Sequence, residues 1–203
     1  MIEIRDLIIQ GNRDFQLQVP ELKISSGQFI QVVGNNNSGK SLLLKVLSFE
    51  YREFKGEIEY NGFPAKSGSY KALLISSETA LLPEASVNRN IFLPFQRVTK
   101  RKKETIMGLL KNTGLLSSIN DPVYTLSRSE KKSLELVRAV VQLPHYLLLD
   151  DYDTYFDNHS LNKLSAVFEF AAKSGTTIMV TSNQQIENLS NNYIINGGVL
   201  EKL

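Results

Sequence analysis

The sequence predicts an α/β protein built on a mostly parallel core sheet, with an antiparallel β subdomain at the N-terminal side and an inserted α-helical subdomain at about residues 95–143. Three observations carry this. Apolar, β-branched runs alternate with helical stretches after residue 28 and again after Pro144, the pattern of parallel strands covered on both faces. The first sixty residues alternate apolar and polar with a period of two instead. The middle of the chain has its apolar residues at helical spacing and lacks strand-like runs.

Taken in order, Phe15, Leu17 and Val19 alternate with Gln16 and Gln18, which marks a half-buried strand with Phe15 on its core face. Phe29 to Val33 reads as a strand buried on both faces, followed by a Gly-containing turn and a helix from Ser41 to about Leu47. Gly56 to Tyr60 alternates again, and Asn61-Gly62 marks a tight turn. Ala72 to Ser76 is an apolar strand, with a loop after it to about Pro94. Lys100-Arg101-Lys102-Lys103 opens a helix with Ile106, Leu109 and Leu110 on one face, and the basic cluster reads as a solvated helix start. A second helix spans about Ser129 to Leu143, where Pro144 ends it. Then come a strand at Tyr146–Leu149, a helix from Leu161 to Lys173, a strand at Thr176–Val180, and a closing hairpin through Asn196-Gly197-Gly198.

The chain has 203 residues, the length of a single domain, 1–203. Its 23 Lys plus Arg against 21 Asp plus Glu leave a net charge of +2, too small to suggest a nucleic-acid partner. With no cysteine and two histidines, thiolate chemistry is excluded and a His-rich metal site is not expected. Met1 to Asp6 is charged from the third residue and lacks the apolar core of a signal peptide. No apolar run approaches the ~18 residues that cross a bilayer, so the chain reads as cytoplasmic, reaching a membrane only through a partner.

Gly34-Asn35-Asn36-Asn37-Ser38-Gly39-Lys40-Ser41 fits the phosphate-loop pattern G-x-x-x-x-G-K-[ST], between a buried strand and a helix. The chemistry requires that spacing. Successive backbone N–H groups turn inward around a phosphate, and the helix N-terminus adds its positive end. Lys40 would reach the β- and γ-phosphates of ATP, and the Ser41 hydroxyl would bind Mg²⁺. Asn37 stands where glycine is common, and Asn is the residue that best tolerates the left-handed backbone there. Leu42 occupies a position where a second hydroxyl is common. Tyr146 to Leu149 ends in Asp150, a carboxylate at the strand's C-terminal edge, where it would hold Mg²⁺ through water. Asp151 follows, where a hydrolytic base would be placed.

At this point the chain resembles the ATP-binding cassette (ABC) ATPases over essentially its whole length, a P-loop NTPase fold. The ordered landmarks are the antiparallel start, the phosphate loop, Leu81-Leu82-Pro83 before Val87-Asn88-Arg89-Asn90-Ile91-Phe92-Leu93-Pro94, the Leu126-Ser127 element, Asp150, and Val180-Thr181-Ser182-Asn183 after the last core strand. The spacing looks most like the short cassettes of the cell-division FtsE and lipoprotein-release LolD type.

The resemblance implies a head-to-tail dimer in which Ser127 of one chain contacts ATP held by the other. It implies departures as well. The Q-loop glutamine falls on Ser77, the catalytic Glu on Asp151, the switch His on Ser182, and the signature Leu-Ser-Gly-Gly-Glu reads Leu126-Ser127-Arg128-Ser129-Glu130. The D-loop Leu-Asp is Phe156-Asp157, and the adenine-stacking aromatic falls near Gln10 or Gly11. The binding residues Lys40, Ser41, Asp150 and Ser127 are kept while the hydrolytic positions change. The expectation is an ATP-binding subunit with slow hydrolysis, working through an integral-membrane, permease-like partner at the inner face of the membrane in a transport or envelope role. It would act as a homodimer or beside another cassette. The alternatives are a largely non-hydrolysing regulatory adaptor and a non-transport ABC protein.

Overall fold

The structure, a computed structural model, describes residues 1–11, 15–66, 68–154, 158–184 and 192–203, with the side chains of 158–162 also outside the description. Phe156, Asp157 and the side chain of His159 lie outside the described residues. Among the described residues ten strands form one sheet: β1 (Ile2–Gln10), β2 (Gln16–Ile24), β3 (Phe29–Gly34), β4 (Phe54–Tyr60), β5 (Phe63–Pro64), β6 (Ala72–Ile75), β7 (Tyr146–Leu149), β8 (Thr177–Ser182), β9 (Asn192–Asn196) and β10 (Val199–Lys202). Their order across the sheet is β5-β4-β1-β2-β10-β9-β3-β8-β7-β6.

The parallel part is β9-β3-β8-β7-β6. Every described residue of β7 and β8 is buried, as expected of strands covered on both faces. The antiparallel part pairs β1 with β2 and with β4, and β2 buries alternate residues, Leu17 and Val19 among them. The helices are α1 (Lys40–Leu47), α2 (Val87–Phe92), α3 (Lys100–Asn112), α4 (Arg128–Val140) and α5 (Asn158–Lys173). One apolar core joins α2, α3, α4 and α5 to the face of β7 and β8 that carries Leu147, Leu149, Ile178 and Val180. The other joins α1 to β1, β2, β3 and the opposite face, with Leu148 and Met179.

The segment expected to be a loop up to Pro94 contains α2. It is six residues long, too short to show a helical period in sequence, and is started by the Ser86 side chain accepting from the Arg89 amide. Asn90 is fully buried and ties the preceding turn together. Its Oδ1 accepts from Leu82 N (2.8 Å) and its Nδ2 donates to Leu82 O (3.0 Å).

Candidate nucleotide site

Four parallel strands deliver their C-terminal ends to one edge. Val33 at the end of β3 pairs with Ser182 at the end of β8, Leu149 of β7 pairs with Val180, and Ile75 at the end of β6 pairs with Leu149. The Gly34–Ser41 loop, Asn183, Asp150–Asp151 and Ser76–Ser77 thus follow adjacent strands. A sheet edge of this kind is where open α/β proteins bind ligands.

The loop has the backbone of an anion nest. Asn37 has φ 63° and Gly39 φ 107°, both left-handed, and α1 begins at Lys40. A Cβ at Gly39 would sit 3.0 Å from the tip of the Phe15 ring, and one at Gly34 would sit 2.5 Å from Ser38 Oγ. Phe15 is half-buried and packs on the N-terminal-side core, with its edge against the loop. Asn35, Asn36 and Asn37 are exposed. Leu42 turns its side chain into the core and has only its backbone to give a phosphate.

Lys40 is 4% exposed. Its Nζ donates to Gly34 O (2.8 Å), Asn35 O (3.1 Å) and Asn183 Oδ1 (3.0 Å), and Asp151 Oδ1 stands 3.6 Å away. That last separation is a charge contact beyond hydrogen-bond reach. Asp151 Oδ1 and Ser38 Oγ are buried with no hydrogen-bond partner among the described residues. The unpartnered Ser38 hydroxyl, beside a nest and a buried ammonium, fits a triphosphate, to which it would donate, whereas the Asp151 carboxylate is itself an acceptor and would take a donor such as water.

Asp150 and Asp151 are fixed by one hydroxyl. Thr181 Oγ1 donates to Asp150 Oδ1 (2.8 Å) and accepts from the Asp151 amide (2.8 Å). Asp151 has φ 45°, a conformation Asp adopts more readily than most residues. Burial first, then the charge of Asp150, pushes the Asp151 carboxyl above its ordinary range, while Lys40 opposes this. Ser41 is half-buried at the start of α1, and Asp150 is half-buried just after β7.

The switch and Q-loop positions, Ser182 and Ser77, differ in exposure. Ser182 is fully buried and its hydroxyl is engaged inward, donating to Gln184 O (2.7 Å) and accepting from Gln31 Nε2 (2.6 Å). The residue that reaches the site from this turn is Asn183, whose amide donates to Asp153 Oδ2 (3.0 Å) and whose Oδ1 meets Lys40. Ser77 is exposed on the loop after β6. Gln31 was the legible clue to this arrangement, a polar residue inside an otherwise apolar strand.

Ser127 lies apart from this edge residue set, at the N-cap of α4. Its hydroxyl accepts from the Glu130 amide (3.3 Å) and its own amide donates to Glu130 Oε2 (2.9 Å), a capping box written in the Ser127-x-x-Glu130 spacing, and the hydroxyl also donates to that carboxylate oxygen (2.6 Å). Hydrogen bonds from the Ser127 side chain, then from its backbone, hold the Glu130 carboxyl below its ordinary range.

The parallel sheet, the nest, the buried Lys40 and the edge carboxylates define a P-loop ATPase. The ABC transporter family model matches residues 17–154, and the chain belongs to that family as an ATP-binding subunit, an ABC ATPase. It is 26% identical over 168 residues to the cytochrome c biogenesis ATP-binding export protein CcmA of Pasteurella multocida, covering 80% of this chain and 79% of that one. It is also 26% identical to the tungstate uptake system ATP-binding protein TupC of Peptoclostridium acidaminophilum, over 88% and 86% of the two chains. The solved structure of cbiO1 from Clostridium perfringens, part of the ABC transporter complex cbiONQ, shares the fold with a TM-score of 0.81 at 18% identity, covering 98% of this chain and 86% of that one. Among the described residues no helix is long and apolar enough to cross a membrane.

Proposed function

We propose that this subunit binds Mg²⁺-ATP in a head-to-tail dimer, hydrolyses it slowly, and passes the resulting motion to a membrane-embedded partner from the inner face of the membrane. The observation that carries the reading is the holding of Lys40. Its ammonium is buried, but its close partners are neutral oxygens and its carboxylate is 3.6 Å away. A γ-phosphate improves on every one of these contacts, because charge-assisted bonds are roughly twice as strong as neutral ones. The relatives' names, an export protein and an uptake system, support a transport partner.

In this reading Lys40 and the loop amides would hold the phosphates, and Ser41 with Asp150 would hold Mg²⁺, which would supply neutralisation of the phosphate charge. Asp151 orients the attacking water, from a carboxylate one methylene shorter than the family's Glu. Asn183, rather than Ser182, faces the γ-phosphate. Its Oδ1 accepts from Lys40, which turns Nδ2 into the donor for a phosphate oxygen. Ser127 of the second chain completes the site once its hydroxyl leaves Glu130.

The test is calorimetry of ATP binding with and without Mg²⁺, together with light scattering and a turnover assay. Binding that requires Mg²⁺, dimer formation with ATP, and turnover below the ~1–100 s⁻¹ of phosphoryl-transfer enzymes are expected. ATP binding unchanged in Lys40→Ala overturns the reading. A second reading, an ATP-responsive adaptor that hardly turns over, is favoured by the Asp151 carboxylate lying beside Lys40, where it would hinder its service to water. ATP-driven dimers with no measurable phosphate release would select that reading.

A further inference from the structure

Among the described residues the buried charged side chains are Lys40, Lys132 and Glu135. Lys40 belongs to the phosphate loop. Lys132 and Glu135 lie on α4, each 4% exposed at the side chain, and none of the steps above uses them.

Their partners are concentrated on one short stretch of chain. Lys132 Nζ pairs with Glu135 Oε2 at 2.7 Å and donates to Ser76 O (2.6 Å) and Glu78 O (3.3 Å). Glu135 Oε1 accepts from Thr79 Oγ1 (2.7 Å) and from Ala80 N (2.7 Å). One turn further on, Arg138 Nη2 donates to Ala80 O (3.0 Å). One ammonium therefore grips the carbonyls on both sides of Ser77, and one carboxylate grips the end of the same loop. A buried ion pair is a weak source of net stability, and apolar residues of similar size often do as well. What a fully satisfied network supplies is a single geometry.

That geometry joins two parts of the site. The loop leaves β6 at Ile75, whose carbonyl accepts from Asp150 N (2.9 Å), so Ser76 and Ser77 start beside the carboxylate edge. Five residues back from Lys132 is Ser127, about 7.5 Å along the axis at 1.5 Å per residue. The geometry points to Lys132 and Glu135 as positioning residues of the ATPase: they lock the 76–80 loop to α4, so that a shift of Ser127 is delivered to the backbone at Ser77. This rests on the dimer reading above, in which Ser127 meets the nucleotide of the second chain and Ser77 stands near the chain's own. Neither Lys132 nor Glu135 touches substrate.

The experiment uses the full chain with the paired substitution Lys132→Met/Glu135→Leu, which leaves neither charge buried alone. Four quantities are read: the thermal midpoint, hydrogen exchange at the Ala80 amide, and KM and kcat for ATP. The expected result is a folded protein with faster Ala80 exchange, a KM within about twofold of wild type, and kcat lowered at least about tenfold, within the ~10²-fold that a ~1 Å misplacement costs. A merely structural role moves exchange and midpoint but not kcat at constant KM, and that outcome overturns the proposal. Unchanged Ala80 exchange in the folded variant overturns it too. If the pair variant fails to fold, Glu135→Gln keeps the shape and one acceptor, and it must show the same split between kcat and KM. A wild-type chain that turns over no ATP overturns the functional reading and the positioning role together. Normal wild-type turnover with an unaffected pair variant overturns the positioning role alone.

Discussion

Lys40 at the start of α1 and Lys132 in the first half of α4 are each 4% exposed, yet their surroundings differ in kind. Lys132 has a carboxylate oxygen at 2.7 Å whose partner oxygen is itself fully engaged by Thr79 and Ala80. Lys40 has neutral oxygens close by and a carboxylate at 3.6 Å whose buried Oδ1 has no hydrogen bond. A buried cation neutralised at contact distance has nothing to gain from a ligand. One surrounded by neutral acceptors, with an under-satisfied carboxylate behind them, gains a great deal from a phosphate. Burial alone does not separate a binding lysine from a structural one; the quality of its partners does.

The largest test of this contrast is Lys132→Ala. It leaves Glu135 buried without its counter-charge, at a cost of about 3–5 kcal/mol. For a chain of this size that lowers the thermal midpoint on the order of 10 °C, measurable by calorimetry. Lys40→Ala sharpens the comparison from the other side. Its midpoint stays close to wild type, while ATP affinity falls about 10–100-fold, the worth of a charge-assisted bond of about 1.5–3 kcal/mol. A Lys40→Ala protein that loses stability but keeps affinity would reverse the two assignments.

Smaller effects are expected at the carboxylate. Asp151→Glu extends the group toward the attacking water and raises single-turnover hydrolysis about tenfold, less than full repair because Glu tolerates the left-handed φ of 45° less well. Ser182→His gives no comparable gain. Residue 182 is fully buried, and an imidazole there overpacks the interior by about 1–3 kcal/mol, seen as a lower midpoint.

The smallest effect is a pH dependence. Because the folded-state carboxyl of Asp151 sits above its ordinary range, the folded protein holds that proton more tightly than the unfolded chain does. The stability it contributes is complete below the ordinary carboxylate value of ~3.9 and is lost as pH rises through the raised folded value. Asp151→Asn therefore gains midpoint on wild type as pH goes from acid to neutral. Glu130 runs the opposite way. Its lowered folded value gives stability that is present at neutral pH and lost on acidification, and Ser127→Ala removes the larger, side-chain part of it while the backbone bond stays.

Much of this was legible in the sequence because the signals were local. The alternation of Leu17 and Val19, the apolar runs of β3 and β7, and the Asn196-Gly197-Gly198 turn each follow from a few adjacent residues. The phosphate loop was legible for the same reason, since Gly34, Gly39, Lys40 and Ser41 act through backbone geometry that their spacing dictates. The short α2 was not legible, because six residues carry less than two helical turns of pattern. Lys132 and Glu135 look like a solvated pair at helical spacing, and nothing in their neighbourhood says that a loop more than fifty residues earlier covers them. Ser182 and Asn183 show the same limit. Their order is visible in the sequence, but which of the two meets Lys40 depends on Gln31, on a strand far away in the chain, which engages Ser182.

The sequence by itself determined the α/β class, the place of the phosphate loop between a buried strand and a helix, and the family. All three rest on periodicity and short-range spacing, where each residue's conformational preference acts on its neighbours. The tertiary structure alone decided which polar groups are orphaned, which lysine is matched by a carboxylate, and which residue of the last turn reaches Lys40. Those outcomes depend on hydrogen bonds between residues up to about 150 positions apart, such as Gln31 with Ser182. Whether a buried charge is satisfied is a property of everything packed around it, and that is fixed only when the sheet has assembled.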